Sequence, residues 1–197
     1  MIALIDNGHG KETKGKRSPD GRLQEWAYCR EIAAGLEKAL AAKGIKAKRI
    51  VTEDNDVTLG ERCRRVNEVC KAEGAKNVLL VSIHNNAAGN GKNWCSARGW
   101  SGWVYTACSD RSKRLAQCLY AAAEKLGLKG NRSVPSCKYW AANFYILRKT
   151  NCAAVLTENL FQDNKEDVQF LLSDEGKKAI IDLHVEGIMN YIDERSK

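Results

Sequence analysis

The segment that most constrains the fold is a continuous apolar run, "NVLLVSIH", at residues 77–84. A strand that is apolar on both faces is typical of a parallel sheet whose two sides are covered by helices. Other apolar or alternating segments predict further strands at residues 2–5, 45–51, 102–107 and 153–157. In the mostly irregular segment 129–152 we expect one more short strand, at residues 144–148.

Segments with helical spacing of apolar residues alternate with these strands. The clearest lies between Glu25 and Lys43, where Ile32, Leu36 and Leu40 recur on one face. Similar patterns predict helices at residues 59–73, 109–126, 165–172 and 174–194. Strands that alternate with helices indicate an α/β fold, in which a mostly parallel sheet of about six strands has helices on both sides.

Length and composition suit one folded domain. The chain has 197 residues, 44% of them hydrophobic, and no linker rich in Gly, Ser or Pro divides it. No apolar run approaches the ~20 residues of a membrane-spanning helix, so we expect no membrane insertion. No basic segment precedes the short apolar opening, so we also expect no signal peptide and synthesis in the cytoplasm.

The formal net charge of +8 favours an anionic partner. Positive residues are spread along the chain among acidic ones, and no motif for DNA or RNA recognition is present. We therefore expect no nucleic-acid partner, although a basic module that binds an anionic polymer without cleaving it stays an alternative. The eight cysteines include no C-x-x-C pair, which argues against a cysteine zinc site, and we expect most of them to be free thiols.

Four polar residues are expected at one edge of the sheet. His9 follows the first strand, His84 ends the strand at residues 77–84, and Glu158 follows the strand at residues 153–157. Glu25 opens the first helix, and helices that follow strands begin at the edge where α/β proteins bind ligands. Two histidines and one carboxylate form a common catalytic zinc site, and a second carboxylate could act as general base.

Most of these residues also have a structural interpretation. His84 could be a hydrogen-bonded core histidine, Glu25 could interact with the dipole of its helix, and Glu158 could cap the following loop. His9, however, lies between two glycines, which suits a side chain that holds a small ligand. The third histidine, His184, lies in the middle of a helical segment, and we expect it to be structural.

Five segments carry a family resemblance. They are, in chain order, "IDNGHG", "LQEWAYCREIAAGLEKAL", "LGERCRRVN", "VSIHNNA" and "AAVLTENLFQDNKED". Their order and spacing, which span nearly the whole chain, resemble those of the zinc-dependent N-acetylmuramoyl-L-alanine amidases, amidase type 3. The resemblance implies a three-layer αβα sandwich and hydrolysis of the amide bond between N-acetylmuramic acid and L-alanine in peptidoglycan.

The same resemblance implies roles for individual residues. The implied roles are Zn²⁺ ligation by His9, Glu25 and His84, acid/base catalysis by Glu158, and substrate binding by Asn86. The sequence departs from the family pattern at Asn7, where proline is common, and in residues 102–107, which lack an acidic residue often found there. These departures concern the shape of the loops rather than the implied zinc ligands.

The resemblance also sets expectations for the whole chain. We expect residues 1–197 to form a single catalytic amidase domain, without a separate wall-binding domain, that acts on peptidoglycan as a monomer. A wall hydrolase without an export signal would suit a phage or prophage lysin. A zinc peptidase that cleaves within the stem peptide stays a second alternative, because sequence patterns do not separate these two amide hydrolases.

Overall fold

The computed structural model describes residues 1–195. Its elements, in chain order, are β1 (Ile2–Asn7), α1 (Glu25–Ala42), β2 (Lys46–Arg49), α2 (Leu59–Glu73), a 3₁₀ turn (Ala75–Asn77), β3 (Val78–Asn86), β4 (Ser101–Val104), α3 (Asp110–Lys125), β5 (Trp140–Ala141), α4 (Tyr145–Arg148), β6 (Ala153–Phe161), α5 (Lys165–Leu172) and α6 (Asp174–Arg195). None of the helices in this part of the chain has the length and apolar character needed to cross a membrane.

The six strands within residues 1–195 form one sheet in the order β2-β1-β3-β6-β4-β5. Neighbouring strands run parallel, except that β4 is antiparallel to β6. Helices cover both faces of this sheet, so the predicted three-layer α/β sandwich is confirmed. The parallel strands β1, β3 and β6 are neighbours in this order, so their carboxyl ends lie side by side at one edge of the sheet.

Alternate side chains of the central strands contact different helical layers. In β3, Leu79, Val81 and Ile83 belong to the core that includes α1, α3, α5 and α6, whereas Val78 and Leu80 belong to the core beneath α2 and α4. Both sets are fully buried. The continuous apolar run of β3 is therefore explained by burial on its two faces.

The predicted strand at residues 144–148 is wrong, because Tyr145–Arg148 form the short helix α4. Ile146 and Leu147, which are adjacent in sequence, both belong to the core beneath α2. A strand would point successive side chains to opposite faces and could not bury both on this side. The strand found in this irregular segment is instead Trp140–Ala141, which pairs with β4.

The three strands next to the expected site are longer than predicted. β1 continues to Asn7, two residues before His9, and β3 and β6 continue beyond His84 and Glu158. The pairing register between β3 and β6 shifts immediately after His84, at an irregularity that ends at Asn86. His84 and Glu158 are thus opposite each other within the sheet, which fixes their backbones more firmly than a loop would.

Candidate active site

Two histidines and one glutamate converge at the carboxyl edge of β1 and β3. Glu25 Oε1 lies 3.3 Å from His9 Nε2 and 3.2 Å from His84 Nδ1, and the two rings meet edge-on with centroids 5.0 Å apart. Ligand atoms of a tetrahedral Zn²⁺ site, each about 2.0–2.2 Å from the metal, are roughly 3.3 Å apart. The three side chains therefore supply the donor set of a zinc site, and the two distances to Glu25 match its spacing.

Two glycines make this convergence possible. A Cβ atom on Gly8 would lie 2.4 Å from the His84 ring, and one on Gly10 would lie 2.1 Å from the backbone nitrogen of Asp56. Both distances are far below van der Waals contact. These contacts explain both glycines of the motif "NGHG", since a side chain at Gly8 would collide with His84 and one at Gly10 with the backbone at Asp56.

The backbone of His9 is held in an uncommon conformation. Its φ angle is +62°, in the left-handed region that non-glycine residues seldom occupy. Its carbonyl oxygen accepts hydrogen bonds from Arg30 Nη2 and Arg62 Nη2, each at 3.1 Å. Arg62 is buried and also forms an ion pair of 2.7 Å with Asp6. Arginines from α1 and α2 thus offset the backbone strain at His9 and fix the direction of its side chain.

The carboxylate of Glu25 is fully buried and hydrogen-bonded at both oxygens. Oε1 accepts a hydrogen bond from the backbone N–H of Asn85 at 3.0 Å, and Oε2 accepts one from Gln162 Nε2 at 3.1 Å. Burial opposes ionisation, but hydrogen bonds from His84 and His9 outweigh it and hold the pKa of Glu25 well below its usual range. Glu25 is therefore an ionised and firmly oriented carboxylate, as a metal ligand should be.

Glu158 lies beside the cluster on the neighbouring strand. It is the register partner of His84, and both side chains are on the sheet face that α2 and α4 cover. Burial raises the pKa of Glu158 to about 7, and its Oε2 atom has no hydrogen-bond partner within residues 1–195. A buried carboxyl group that titrates near neutrality can both accept and donate a proton.

A cavity of about 520 Å³ opens onto these residues. Its polar lining residues include His9, His84 and Glu158, together with Asp6, Lys16, Asp56, Thr58 and Arg62. Its other lining side chains are mostly apolar, namely Val57, Leu59, Phe144, Tyr145, Ile146 and Leu156. The volume and the mixture of polar and apolar lining residues are those of a ligand site.

Asn86, predicted to bind substrate, lies two residues beyond His84, after the irregularity in β3. Its Oδ1 accepts a hydrogen bond from the N–H of Ala87 at 2.9 Å, and its carbonyl oxygen accepts one from the N–H of Gln162. These contacts shape the start of the loop after β3. They do not bring Asn86 into the His9–Glu25–His84 cluster, and its role in substrate binding stays a prediction.

His184 lies in the core, as expected for a structural residue. Its Nδ1 is 2.7 Å from the carbonyl oxygen of Ile180 and its Nε2 is 3.0 Å from Thr157 Oγ1. Burial lowers the pKa of His184 to about 4, so the ring is neutral near pH 7. The neutral tautomer that donates to Ile180 and accepts from Thr157 satisfies both nitrogens and leaves none for a ligand.

Sequence reasoning missed the residues that orient the cluster. Of these, Arg62 left a signal, because it precedes Val66 and Cys70 by four and eight residues and so lies on the buried face of α2. An arginine at a buried helical position needs internal acceptors and often has a special role. Gln162 and Asn85 gave no comparable signal, since short polar residues near strand ends are common.

Comparison with known proteins decides the family. The profile of the Amidase_3 family, described as N-acetylmuramoyl-L-alanine amidase, matches residues 3–190. The chain belongs to this amidase family. The match covers the segments that carried the resemblance, from the strand before His9 to the last helix, and it confirms that resemblance.

Individual relatives of this amidase point the same way. The chain is 30% identical over 198 residues to the endolysin of Bacillus phage SPP1, a match that covers all of this chain and 68% of that protein. It is 27% identical to the probable cell wall amidase LytH of Staphylococcus saprophyticus, of which it spans 58%. The crystal structure of an N-acetylmuramoyl-L-alanine amidase from Clostridium difficile 630 superposes with a TM-score of 0.84 at 27% identity, covering 98% of this chain and 97% of that one.

Proposed function

We propose that this amidase hydrolyses the amide bond between N-acetylmuramic acid and L-alanine in peptidoglycan, with Zn²⁺ as its cofactor. The observation that carries the proposal is the pairing of the His9–Glu25–His84 cluster with Glu158, a half-buried residue on the next strand whose carboxyl group has a raised pKa. Membership of the amidase family supplies the substrate class. A cluster with zinc-like spacing beside a carboxyl group that can move protons suits amide hydrolysis.

Each residue has a separate task in this proposal. His9, Glu25 and His84 would hold Zn²⁺, which supplies a Lewis acid and lowers the pKa of a bound water. Glu158 accepts the proton that the attacking water loses, because its Oε2 atom is free of internal hydrogen bonds. It then donates that proton to the nitrogen of the leaving L-alanine, because the C–N bond would otherwise have to break with a strongly basic amide anion as leaving group.

We also propose that the protein acts on the cell wall as a phage or prophage lysin. Support comes from its similarity to a phage endolysin, and the positive net charge would favour an anionic wall. Asn86 is proposed to contact the substrate, as the motif "VSIHNNA" implies. Asn86 ends β3 two residues beyond His84, so such a contact would lie beside the metal cluster.

Mass spectrometry of products released from purified peptidoglycan tests the proposed reaction. The zinc-loaded protein should free whole stem peptides that begin with L-alanine and leave the glycan strands unbroken. A chelator should abolish the release, and Zn²⁺ should restore it. Products cut within the stem peptide would instead identify a peptidase, and binding without release would identify a non-catalytic module.

The variant His84→Ala gives this experiment a matched metal control. Two remaining ligands hold zinc poorly, so zinc content and product release should fall together. His184→Gln, which changes a histidine outside the cluster, should retain its zinc. Retention of a full zinc equivalent by His84→Ala would contradict the proposed ligand set.

A further inference from the structure

Arg132 lies next to Glu158 on the side away from the metal cluster. Ser101 in β4 is the register partner of Glu158 in β6, and its hydroxyl accepts a hydrogen bond from Arg132 Nη1 at 3.1 Å. Adjacent strands are about 4.8 Å apart, so the Arg132 guanidinium lies roughly 8–10 Å from the catalytic carboxyl group. His84, Glu158 and Arg132 thus follow one another along the carboxyl edge of the sheet.

The guanidinium of Arg132 is held in place by aromatic rings. It stacks over Trp140 at 5.1 Å and over Phe161 at 5.5 Å from the ring centroids. Ser101 is fully buried, and its hydroxyl also accepts a hydrogen bond from Trp103 Nε1 at 3.0 Å. A planar guanidinium fixed in this way loses little entropy when it binds a planar anion.

Arg132 nevertheless has no acidic partner among the residues that the structure describes. Within residues 1–195 its one hydrogen bond is to Ser101, which leaves most of its N–H donors free. Burial lowers the pKa of Arg132, and the charge of Glu158, which lies nearby without forming an ion pair, opposes this effect. A half-buried and oriented guanidinium with unused donors is arranged to receive an anion from outside the protein.

This inference rests on the proposed function: we propose that Arg132 binds the stem-peptide carboxylate nearest to the scissile amide. The glycan has no free carboxylate where its lactyl group is amidated, whereas the peptide has several. When the second stem residue is D-glutamate linked through its side chain, its α-carboxylate is free. That group lies about two residue lengths, roughly 7 Å, from the scissile bond. A hydrogen bond of about 2.9 Å beyond it spans the offset of roughly 8–10 Å between Glu158 and Arg132.

The test compares two muropeptides that differ only at the second stem residue. One has D-glutamate with a free α-carboxylate, and the other has D-isoglutamine, in which a neutral carboxamide replaces it. The wild-type enzyme should prefer the carboxylate substrate by about 10- to 100-fold in kcat/KM, as expected for a charge-assisted pair. Arg132→Gln should remove this preference, mainly through KM, and Arg132→Lys should restore part of it.

Arg49→Gln is the matched control. Arg49 pairs with Glu37 at the opposite edge of the sheet, and its replacement lowers the net charge by the same amount. This variant should keep the wild-type preference, which would exclude a general effect of charge.

Equal losses on both substrates in Arg132→Gln, or a shift in its pH profile, would overturn the inference and show that Arg132 acts through the fold or through Glu158. Wild-type enzyme that turns over neither muropeptides nor peptidoglycan would instead contradict the proposed function on which the inference rests.

Discussion

The two halves of the site differ in how their polar atoms are satisfied. We call His9, Glu25 and His84 the metal half. There, both carboxylate oxygens of Glu25 accept hydrogen bonds from the protein, and the carbonyl of His9 accepts two. The other half consists of Glu158 and Arg132. Within the described residues, Glu158 Oε2 has no hydrogen-bond partner, and the Arg132 side chain has one, Ser101. This contrast agrees with the roles proposed above, in which the first half keeps a fixed geometry and the second exchanges protons and receives substrate.

The two glutamates make this difference concrete. Hydrogen bonds from the histidines overcome burial at Glu25 and lower its pKa, whereas burial dominates at Glu158 and raises its pKa to about 7. The same residue type therefore carries a fixed negative charge in one half and an exchangeable proton in the other. Hydrogen-bond partners, rather than burial alone, decide which role each carboxyl group can have.

The largest expected effect comes from removing the exchangeable proton. Glu158→Gln keeps the shape of the side chain but cannot accept a proton, so the rate should fall about 10²- to 10⁴-fold. Zinc content should stay at the wild-type value because no ligand has changed. Kinetics on peptidoglycan and elemental analysis of the same preparation check both statements. Loss of zinc from this variant would place Glu158 in the metal half.

A second effect tests whether the metal half depends on its buried ion pair. Arg62→Met leaves Asp6 buried without its partner, which should reduce the free energy of unfolding by about 3–5 kcal/mol. Arg64→Met, two residues along the same helix, removes ion pairs that water already screens and should change stability little. Urea unfolding of both variants gives the comparison. Equal stability losses would show that Arg62 has no special role.

His184 shows what a buried histidine does without an acidic neighbour. Its pKa falls from the ordinary 6.5 to about 4, so the unfolded state binds a proton in this interval that the folded state does not. Its contribution is therefore complete above pH 6.5 and is lost as the pH falls to 4, by about 3 kcal/mol. The unfolding free energy of metal-free protein should decline more over this range than that of His184→Gln. Equal declines in the unfolding free energy of the two proteins would contradict the lowered pKa of His184.

The smallest effect concerns the backbone of His9. Arg30→Gln removes one of the two donors to its carbonyl oxygen, and outer contacts of this kind affect metal affinity by about 10- to 100-fold. Zinc competition with a chromophoric chelator measures the change. Arg49→Gln serves again as control and should bind zinc like the wild type. Unchanged affinity in Arg30→Gln would mean that Arg62 alone maintains the strained conformation.

The fold was predictable wherever burial leaves a periodic pattern. The sequence predicts α1 because its apolar residues recur with helical spacing on one face. It predicts β3 because apolar residues fill both faces of the strand. Residues 144–148 were not, because a short apolar run suits a strand and a helical turn equally well. The strand at Trp140–Ala141 has two residues and pairs with β4, so no local pattern could indicate it.

The site was predictable at the positions that the topology brings together. His9, Glu25, His84 and Glu158 follow from the rule that strands and their following helices meet at the carboxyl edge. The contact between Gln162 and Glu25 joins residues 137 positions apart, and it depends on how β6 continues beyond its predicted end. Such orienting contacts arise from packing, which hydrophobic periodicity does not encode.

The central claim is that three residues hold zinc and that Glu158 stands apart from it. Anomalous diffraction at the zinc edge from crystals of zinc-loaded protein tests this directly. We expect one peak about 2.0–2.2 Å from His9 Nε2, His84 Nδ1 and a Glu25 oxygen, with no bond to Glu158. A peak bonded to Glu158, or the absence of any peak at His9, Glu25 and His84, would contradict the division of the site into two halves.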